Sequence, residues 1–463
     1  MKKVFNLLFT FLIAFCVYET VNAKTYKIEI NDASDGHTYE AYQIFKGDLS
    51  NDKLTLSNIV WGSGISSAFT DGKDANTYAI SITDVNAEEK AKELGENISS
   101  TVSGTSGEIS NGTYTISGLE PGYYLIKDKN GTQTGSYDAY TEYIVKLVGD
   151  TTVTPKTGVP TADKKIVEGN NSITYSSKYA VGDVVTYRLT GTMPTNYDNY
   201  ATYKYIFHDK LSAGLDFNSN SLKVYVDGTQ ITSGFTIDTN PTDEDTLDVI
   251  FDNLKSINTI TKDSVITVEY TATVNSSAVR GLPGNDNKLN IEFSNNPYTN
   301  ETGKTTDIIT KVYIFDFIFN KVDSATKSAL TGAGFKLERL VENNWVEWKT
   351  ITNQNSNVFT FEGLSIGTYR LTETTTPDGY NTISPVTFEI TADFDDDGLS
   401  SLNGTAFNFT ANLNSGILSA DIENVKGVSL PLTGGIGTTV FTLVGLLLMT
   451  VAIIVFIKSK EEK

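Results

Sequence analysis

Short stretches in which apolar and polar residues alternate recur along the chain between residues 24 and 427. Clear examples are 26–30, 143–148, 184–189 and 265–270. A period of two is typical of a strand with one buried face, and the polar segments between these stretches are typical of turns. Segment 85–94 is the only clear candidate for a soluble helix, with Asn86 as its candidate N-cap. The pattern therefore predicts an all-β chain of tandem β-sandwiches of immunoglobulin-like type.

Both ends of the chain carry targeting segments. Residues 1–23 combine a basic start, an apolar run and a small-residue end at Val21-Asn22-Ala23, which predicts a secretory signal peptide. Its cleavage removes Cys16, the only cysteine, so disulfides cannot brace the exported chain. At the other end, 436–457 is apolar and long enough to cross a bilayer as a helix. The basic tail that follows is expected to stay cytoplasmic.

A short motif, Leu430-Pro431-Leu432-Thr433-Gly434, stands just before this apolar span. Pro431 favours an extended backbone at the motif. Together with the span and the basic tail, the motif resembles the LPxTG sorting signal of proteins that sortases attach to Gram-positive cell walls. The resemblance implies recognition through Leu430, Pro431, Thr433 and Gly434, cleavage between Thr433 and Gly434, and transfer of Thr433 to an amine.

Composition excludes several classes of function. A net charge of −20 over 463 residues disfavours nucleic acid as a partner. Two His and one Cys exclude most His/Cys metal sites and Cys-His catalysis, so neither a cofactor nor a metal site is expected. Segment 393–398 has the opening spacing of a calcium loop, but Gly404 stands where the twelfth-position glutamate is expected. An acidic hairpin turn is the favoured interpretation, and calcium binding is left open.

The length suits about three domains of roughly 150 residues each. After the signal peptide we expect an N-terminal domain, a middle domain, a third domain and the sorting signal with its membrane helix, over 24–155, 156–312, 313–427 and 428–463. Segment 39–45 resembles the first domain of streptococcal backbone pilins.

Three strands of the third domain each send one polar side chain toward the core. Alternation places Lys321 on the same face as Phe319, Glu373 beside Leu371, and Asn424 on the face of Ile422. Burial favours the neutral form of an amine, which is a nucleophile, and the protonated form of a carboxyl group, which can transfer protons. Attack of the amine on the carboxamide would release ammonia and leave an isopeptide cross-link.

These residues resemble the Cna-B-type domain, including its YxLxET box at 369–374. That family forms the cross-link autocatalytically, so the resemblance implies a Lys321–Asn424 bond with Glu373 as the catalytic acid. The reaction is a single turnover, and the chain is not otherwise expected to be an enzyme. A buried salt bridge or solvated strand residues are the alternatives.

The middle domain carries a similar set of residues. Alternation favours Lys164 over Lys165 as the inward amine. Segment 207–215 resembles the acid-bearing segment of pilin middle domains, which makes Asp209 the candidate acid. Asn295 is the first choice for the partner amide, and Asn287, on the same face of the closing strand, is the alternative.

The first domain has an acid in an equivalent place but not its partners. Segments 118–128 and 363–373 match in spacing, with Asp128 where the third domain has Glu373, so the two domains are candidate relatives. Lys27 faces away from the apolar side of its strand, and the closing strand has no Asn. We therefore expect no isopeptide bond in this domain, and we expect it to be the most protease-sensitive and mobile one.

Lys156 lies in a linker that contains Pro155, Gly158 and Pro160, which indicates an exposed position. The Pro-Lys pair between two domains resembles the pilin motif, whose lysine accepts the next subunit, although threonines flank the pair here. An ordinary linker lysine is the alternative.

The resemblance to sortase-assembled major pilins covers nearly the whole chain. It implies a structural backbone subunit of a wall-anchored surface pilus that supports adhesion and colonisation. The implied partners are a pilin-class sortase, a housekeeping sortase, further copies of the chain, minor pilins and peptidoglycan, with host surface ligands as a further class. A monomeric wall-anchored adhesin and a minor tip or basal pilin are the alternatives, and a secreted enzyme is disfavoured.

Overall fold

The computed structural model describes residues 24–31, 37–132, 138–154, 158–169, 173–174, 176–353, 355–395, 398–428 and 436–461. It divides into two compact units, Met1–Val279 with Gly284–Tyr313 and Arg280–Pro283 with Ile314–Lys463. The prediction of an all-β chain of immunoglobulin-like domains is confirmed. Among the described residues, strands pair only within the ranges 24–153, 162–313 and 315–424.

The part of the first range that the structure describes holds nine strands in two sheets. In chain order they are β1 (Tyr26–Asn31), β2 (Tyr39–Leu49), β3 (Leu56–Trp61), β4 (Thr105–Ser106), β5 (Glu108–Ser110), β6 (Thr113–Leu119), β7 (Gly122–Asp128), β8 (Glu142–Leu147) and β9 (Thr151–Val153). The sheets run β5-β6-β1-β9 and β3-β2-β7-β8, with β4 paired to β2. Between them lies an apolar core that includes Ile28, Ile116 and Ile126.

Three helices follow β3, where the sequence indicated one. They are α1 (Ser67–Thr70), α2 (Ala75–Ser81) and α3 (Ala87–Gly95), and only α3 matches the predicted segment. The other two are too short for helical periodicity to show in a sequence window. Asn86 does not cap α3 with its side chain, because its Oδ1 accepts a hydrogen bond from the Thr83 backbone N–H at 2.7 Å.

The described residues of the second range form a two-sheet sandwich of thirteen strands. They are β10 (Ala162–Val167), β11 (Ile173–Thr174), β12 (Ser176–Lys178), β13 (Val184–Thr192), β14 (Tyr205–Leu211), β15 (Leu215–Val226), β16 (Thr229–Ile231), β17 (Thr236–Asp238), β18 (Leu247–Phe251), β19 (Val265–Val274), β20 (Asn285–Ser294), β21 (Thr302–Lys304) and β22 (Ile308–Tyr313). One sheet runs β11-β10-β13-β19-β15-β16 and the other β12-β22-β20-β14-β18-β17, with β21 on β20. Two short 3-10 helices are at Tyr197–Asn199 and Leu254–Ser256.

The third range, as far as it is described, contains nine strands and is followed by the C-terminal helix. They are β23 (Phe315–Asp323), β24 (Ala333–Val341), β25 (Asn344–Asn353), β26 (Val358–Leu364), β27 (Gly367–Thr375), β28 (Val386–Asp395), β29 (Gly398–Gly404), β30 (Thr410–Asn412), β31 (Ile417–Asn424) and helix α4 (Ile436–Glu461). The sheets run β26-β23-β31-β30 and β25-β24-β27-β28-β29. The first and last strands, β23 and β31, are parallel neighbours.

The matching segments of the first and third ranges form the same local structure. Each is a strand–turn–strand segment whose two strands lie in different sheets, β6 and β7 in one range and β26 and β27 in the other. In each, a buried tyrosine hydroxyl donates to the backbone oxygen four residues earlier: Tyr124 to Glu120 at 2.8 Å and Tyr369 to Ser365 at 2.9 Å. This shared contact supports the relationship that the spacing suggested.

Candidate isopeptide sites

In the third domain, the structure brings Lys321, Glu373 and Asn424 together. Lys321 and Asn424 come from the neighbouring parallel strands β23 and β31, and Glu373 comes from β27 in the facing sheet. Lys321 and Asn424 are fully buried, and Glu373 is 5% exposed. Asn424 Nδ2 donates to Glu373 Oε1 at 2.9 Å, and Lys321 Nζ donates to the backbone oxygen of Ile422 at 2.8 Å. An amine, an acid and an amide therefore meet away from water.

Electrostatics at this site favour a reactive amine. Burial lowers the pKa of Lys321 to about 8, and the negative charges of Glu373 and Glu423 only partly offset the effect. The backbone N–H of Ile383 donates a hydrogen bond to Oε2 of Glu373 at 2.9 Å. Each oxygen of the carboxyl group therefore accepts a hydrogen bond, and the two bonds fix its orientation. Among the residues that the structure describes, Asn424 Oδ1 is buried without a hydrogen-bond partner.

The middle domain contains a second buried cluster. Lys164 Nζ contacts Asp209 Oδ2 closely and donates to Asn287 Oδ1 at 2.7 Å. All three side chains are fully buried. Lys164 belongs to one sheet, whereas Asp209 on β14 and Asn287 on β20 belong to the other. Burial lowers the pKa of Lys164 to about 8 and raises the pKa of Asp209, although each opposes the shift of the other.

Asn295, the first choice from the sequence, lies elsewhere. It follows the end of β20, and its Nδ2 donates to the backbone oxygen of Asp138 at 3.3 Å. Its own backbone oxygen accepts from Tyr140 N–H at 2.6 Å, so it connects the middle domain to the first. Asn287 and Asn295 share a strand face but are eight residues apart, or about 26 Å along an extended strand. The geometry therefore selects the alternative, Asn287.

A second contact at the same junction involves Glu142 of β8. Both of its carboxylate oxygens accept from the Tyr298 hydroxyl, at 2.8 and 2.9 Å, and the rings of Tyr140 and Tyr298 meet edge to face. Burial raises the pKa of Glu142 to about 7. The first and middle domains are thus joined by a mostly buried polar and aromatic contact.

In the first domain, the acid at the position equivalent to Glu373 has different hydrogen-bond partners. Asp128 is fully buried; its Oδ1 lies 2.8 Å from His37 Nδ1, and its Oδ2 accepts from the Thr141 backbone N–H at 2.8 Å. These described contacts include an imidazole and a backbone amide rather than a lysine amine. That arrangement agrees with the expectation that this domain lacks an isopeptide bond, which stays a prediction.

Several predicted sites lie outside the described residues. They are the signal peptide, Lys156, and the sorting residues Leu430, Pro431, Thr433 and Gly434. The helix that follows the motif has a membrane-compatible stretch over Thr439–Lys460 with a mean hydropathy of 2.9. Asp395 pairs with Gly398 where the antiparallel strands β28 and β29 end, and residues 396 and 397 of the acidic segment lie outside the described residues.

Two features escaped the sequence analysis. Tyr270 on β19 lies inside the middle-domain cluster; alternation with Val268 and Ala272 indicated an inward side chain but not its chemical neighbours. His208, Asp243, Asp245 and Asp248 also place ligand atoms within 4.8 Å of one another. By donor type this second group could hold a metal ion. His208 Nδ1 already lies 2.9 Å from Asp248 Oδ1 as an ion pair.

Family comparisons cover three parts of the chain. A model described as "Gram-positive pilin backbone subunit 2, Cna-B-like domain" matches residues 181–297. A "Prealbumin-like fold domain" matches 315–411, and the "LPXTG cell wall anchor motif" matches 422–463. The curated "Trypsin-resistant surface T6 protein" of Streptococcus pyogenes serotype M6 is 30% identical over 275 residues. Residues 181–297 therefore resemble a Gram-positive pilin backbone domain, and the C-terminal part of the chain carries a cell-wall anchor motif.

The fold of the chain is similar to that of solved pilin structures. The T6 backbone pilin of serotype M6 Streptococcus pyogenes aligns with a TM-score of 0.53 and 21% identity, over 88% of this chain and 99% of that one. The fimbrial protein FimP from Actinomyces oris aligns with a TM-score of 0.53 and 14% identity, over 88% and 98%. The curated match covers 54% of this chain and 48%, about half, of its relative. With its anchor motif and apolar helix, the chain is a cell-wall-anchored surface protein.

Proposed function

We propose that this chain is the backbone subunit of a sortase-assembled pilus and that its domains are cross-linked internally by isopeptide bonds that form autocatalytically. The observation that carries the proposal is the presence of two buried lysine–acid–asparagine clusters in a chain that also bears a wall-anchor motif. A pilin-class sortase would join Thr433 of one subunit to Lys156 of the next. A housekeeping sortase would attach the last subunit to peptidoglycan, and minor pilins would complete the fibre.

In the third domain, the neutral amine of Lys321 attacks Cγ of Asn424. Glu373 exchanges protons with the reacting groups: it takes one from the attacking nitrogen and gives one to the departing Nδ2. A C–N bond forms, the Cγ–Nδ2 bond breaks, and ammonia leaves. The contact between Glu373 Oε1 and Asn424 Nδ2 at 2.9 Å supports this direct transfer. The lowered pKa of Lys321 supports the neutral amine.

In the middle domain, the corresponding bond joins Lys164 to Asn287, with Asp209 as the acid. The 2.7 Å contact between Lys164 Nζ and Asn287 Oδ1 supports this pair. The two proposed bonds connect different parts of their domains. Lys321–Asn424 would tie the first strand to the last within one sheet, whereas Lys164–Asn287 would tie the two sheets together.

Such bonds suit a fibre under tension. Each closes a loop of roughly 100 residues, and by the loop-entropy relation for cross-links it constrains the unfolded chain by about 4–5 kcal/mol. Strands joined near the ends of a domain also transmit force without separating. The name of the curated relative describes it as trypsin-resistant, and we propose the same property for the cross-linked domains of this chain.

Polymerisation is tested by immunoblots of wall extracts from cells that express the chain with its sortases. The parent should give a ladder of high-mass species, and Lys156→Ala should abolish the ladder while a single wall-anchored band remains. Lys262→Ala, at an exposed lysine of the middle domain, is the matched control and should leave the ladder intact. An unchanged ladder from Lys156→Ala would contradict the assignment of the acceptor lysine. A single band from the parent would point instead to a monomeric surface protein.

A further inference from the structure

Tyr270 connects every reacting group of the middle-domain cluster. Its hydroxyl donates to Asp209 Oδ1 at 2.9 Å and accepts from Asn287 Nδ2 at 2.6 Å. The same oxygen lies 3.5 Å from Lys164 Nζ. All four side chains are fully or almost fully buried. The hydroxyl group therefore contacts the acid, the amide nitrogen and the amine in one site shielded from solvent.

The aromatic ring of Tyr270 is held from two sides. It stacks on Tyr187, its cross-strand partner on β13, with ring centroids 5.4 Å apart and planes 29° apart. Phe217 meets it edge to face at 5.2 Å and 82°. Because the ring is fixed by packing, its hydroxyl is positioned before any reaction takes place.

The third domain shows why a hydroxyl is needed here. There, Glu373 Oε1 reaches the amide nitrogen of Asn424 directly at 2.9 Å. Aspartate is one methylene shorter than glutamate. Within the part of the middle domain that the structure describes, Asp209 hydrogen-bonds Lys164 and Tyr270, and it is Tyr270 that bonds the amide nitrogen of Asn287. The tyrosine hydroxyl thus lies between the carboxyl group of the shorter acid and the amide nitrogen of Asn287, and it hydrogen-bonds both.

We propose that Tyr270 is a catalytic residue of the middle-domain reaction, carrying a proton from Asp209 to the leaving nitrogen of Asn287. The inference rests on the proposed Lys164–Asn287 cross-link. As Lys164 Nζ bonds to Asn287 Cγ, its proton passes to Asp209 Oδ2. Once Nδ2 has become tetrahedral and carries a lone pair, the Tyr270 hydroxyl turns from Asp209 Oδ1 to Nδ2 and gives it a proton. The proton that Asp209 carries in the neutral Lys164–Asp209 pair then passes to the Tyr270 oxygen. The Cγ–Nδ2 bond then breaks and ammonia leaves, so Tyr270 and Asp209 finish as they began.

The test follows bond formation in the full-length chain after a short pulse of expression in cells without sortases. Samples are denatured at intervals and digested, and mass spectrometry quantifies the joined peptides that contain Lys164 and Asn287. Tyr270→Phe should slow their appearance by about 100-fold, the lower end expected for loss of a general acid. The Lys321–Asn424 peptides of the same molecules should form at the parental rate, which provides an internal reference.

Two further variants separate chemistry from folding. Tyr205→Phe removes another buried hydroxyl of the same sandwich, one that donates to the Thr192 backbone oxygen, and it should not slow the reaction. Asp209→Glu combined with Tyr270→Phe recreates the direct contact of the third domain and should restore bond formation, even if Tyr270→Phe alone folds poorly. Parental kinetics in Tyr270→Phe, or no rescue by the folded double variant, would overturn the role of Tyr270. Absence of the Lys164–Asn287 peptides from the parent would overturn the cross-link itself.

Discussion

Lys321 and Asn424 lie diagonally across two neighbouring parallel strands, with Lys321 opposite Ile422 and Asn424 opposite Asp323. Side chains two residues apart on adjacent strands point to the same face of the sheet. The amine and the amide therefore share one buried face although they are about 100 residues apart in the sequence. A bond between them would close the third domain on itself.

Glu373→Gln tests the acid in the third domain. Glutamine keeps the shape of the side chain but cannot shuttle the proton, so the Lys321–Asn424 bond should not form while the middle-domain bond does. The variant, corrected for its substitution, should weigh about 17 Da more than the parent because one ammonia is retained. The third domain should lose about 4–5 kcal/mol of unfolding free energy.

Intact mass and denaturant unfolding measure these two effects. Glu362→Gln, at an exposed glutamate on β26 of the same domain, is the matched control and should behave as the parent. A Glu373→Gln chain with the parental loss of ammonia would show that the acid is dispensable.

An unreacted Lys321 should make stability depend on alkaline pH. In Asn424→Ala, which cannot cross-link, burial holds the pKa of Lys321 at about 8 in the folded state, against 10.5 for the free side chain. Between these values the unfolded chain binds more protons than the folded chain, so stability rises with pH. The gain should approach about 3 kcal/mol across this window.

Urea unfolding from pH 7 to pH 10.5 measures this dependence. Lys321→Met combined with Asn424→Ala removes the titrating amine and should flatten the curve, apart from slopes that other groups contribute to both variants. Identical slopes in the two variants would mean that the amine is not buried as described.

Glu142→Gln should stabilise the junction between the first and middle domains at neutral pH. Burial raises the pKa of Glu142 from 4.5 to about 7, so the folded state binds more protons than the unfolded state between these values. Stability attributable to this group therefore falls as pH rises from 4.5 to 7, and the full cost is present above pH 7. Glutamine removes that cost, which we expect to be about 2 kcal/mol.

Thermal unfolding at pH 5 and pH 8 tests the Glu142 prediction. The variant should exceed the parent in stability at pH 8 and approach it at pH 5. Glu88→Gln, in the first turn of α3, provides a control that should show no such difference. Equal stability of Glu142→Gln and parent at pH 8 would contradict the role assigned to burial.

Trypsin should cleave the N-terminal domain before it cleaves the other two domains. Its acid, Asp128, is bonded to His37 and Thr141, and no cross-link is expected there. The two cross-linked domains should survive as a resistant fragment that begins near residue 156. Timed digestion with mass analysis identifies the cut sites, and initial cleavage inside the third domain would contradict the expectation.

Several parts of the candidate sites could be predicted from residue order. The inward positions of Lys164, Lys321, Glu373 and Asn424 follow from alternation, and Asp209 follows from a family resemblance. The structure places all five in buried clusters. Tyr270 could not be assigned a role in this way, because an inward tyrosine on a sandwich strand is ordinarily a core residue. Only its hydrogen bonds to Asp209 and Asn287 distinguish it.

The sequence by itself determined the strand-rich class of this chain, its C-terminal anchor motif and the strand faces of Lys164, Lys321, Glu373 and Asn424, because side-chain direction has a period of two along a strand. It did not determine at which position along β20 the asparagine lies whose side-chain amide contacts Lys164. Asn287 and Asn295 satisfy the same periodicity, and the choice depends on strand register. Pairing of Leu211 with Asn287 and of Asp209 with Leu289 brings Asn287 to the acid, and it leaves Asn295 at the far end of the strand against the first domain.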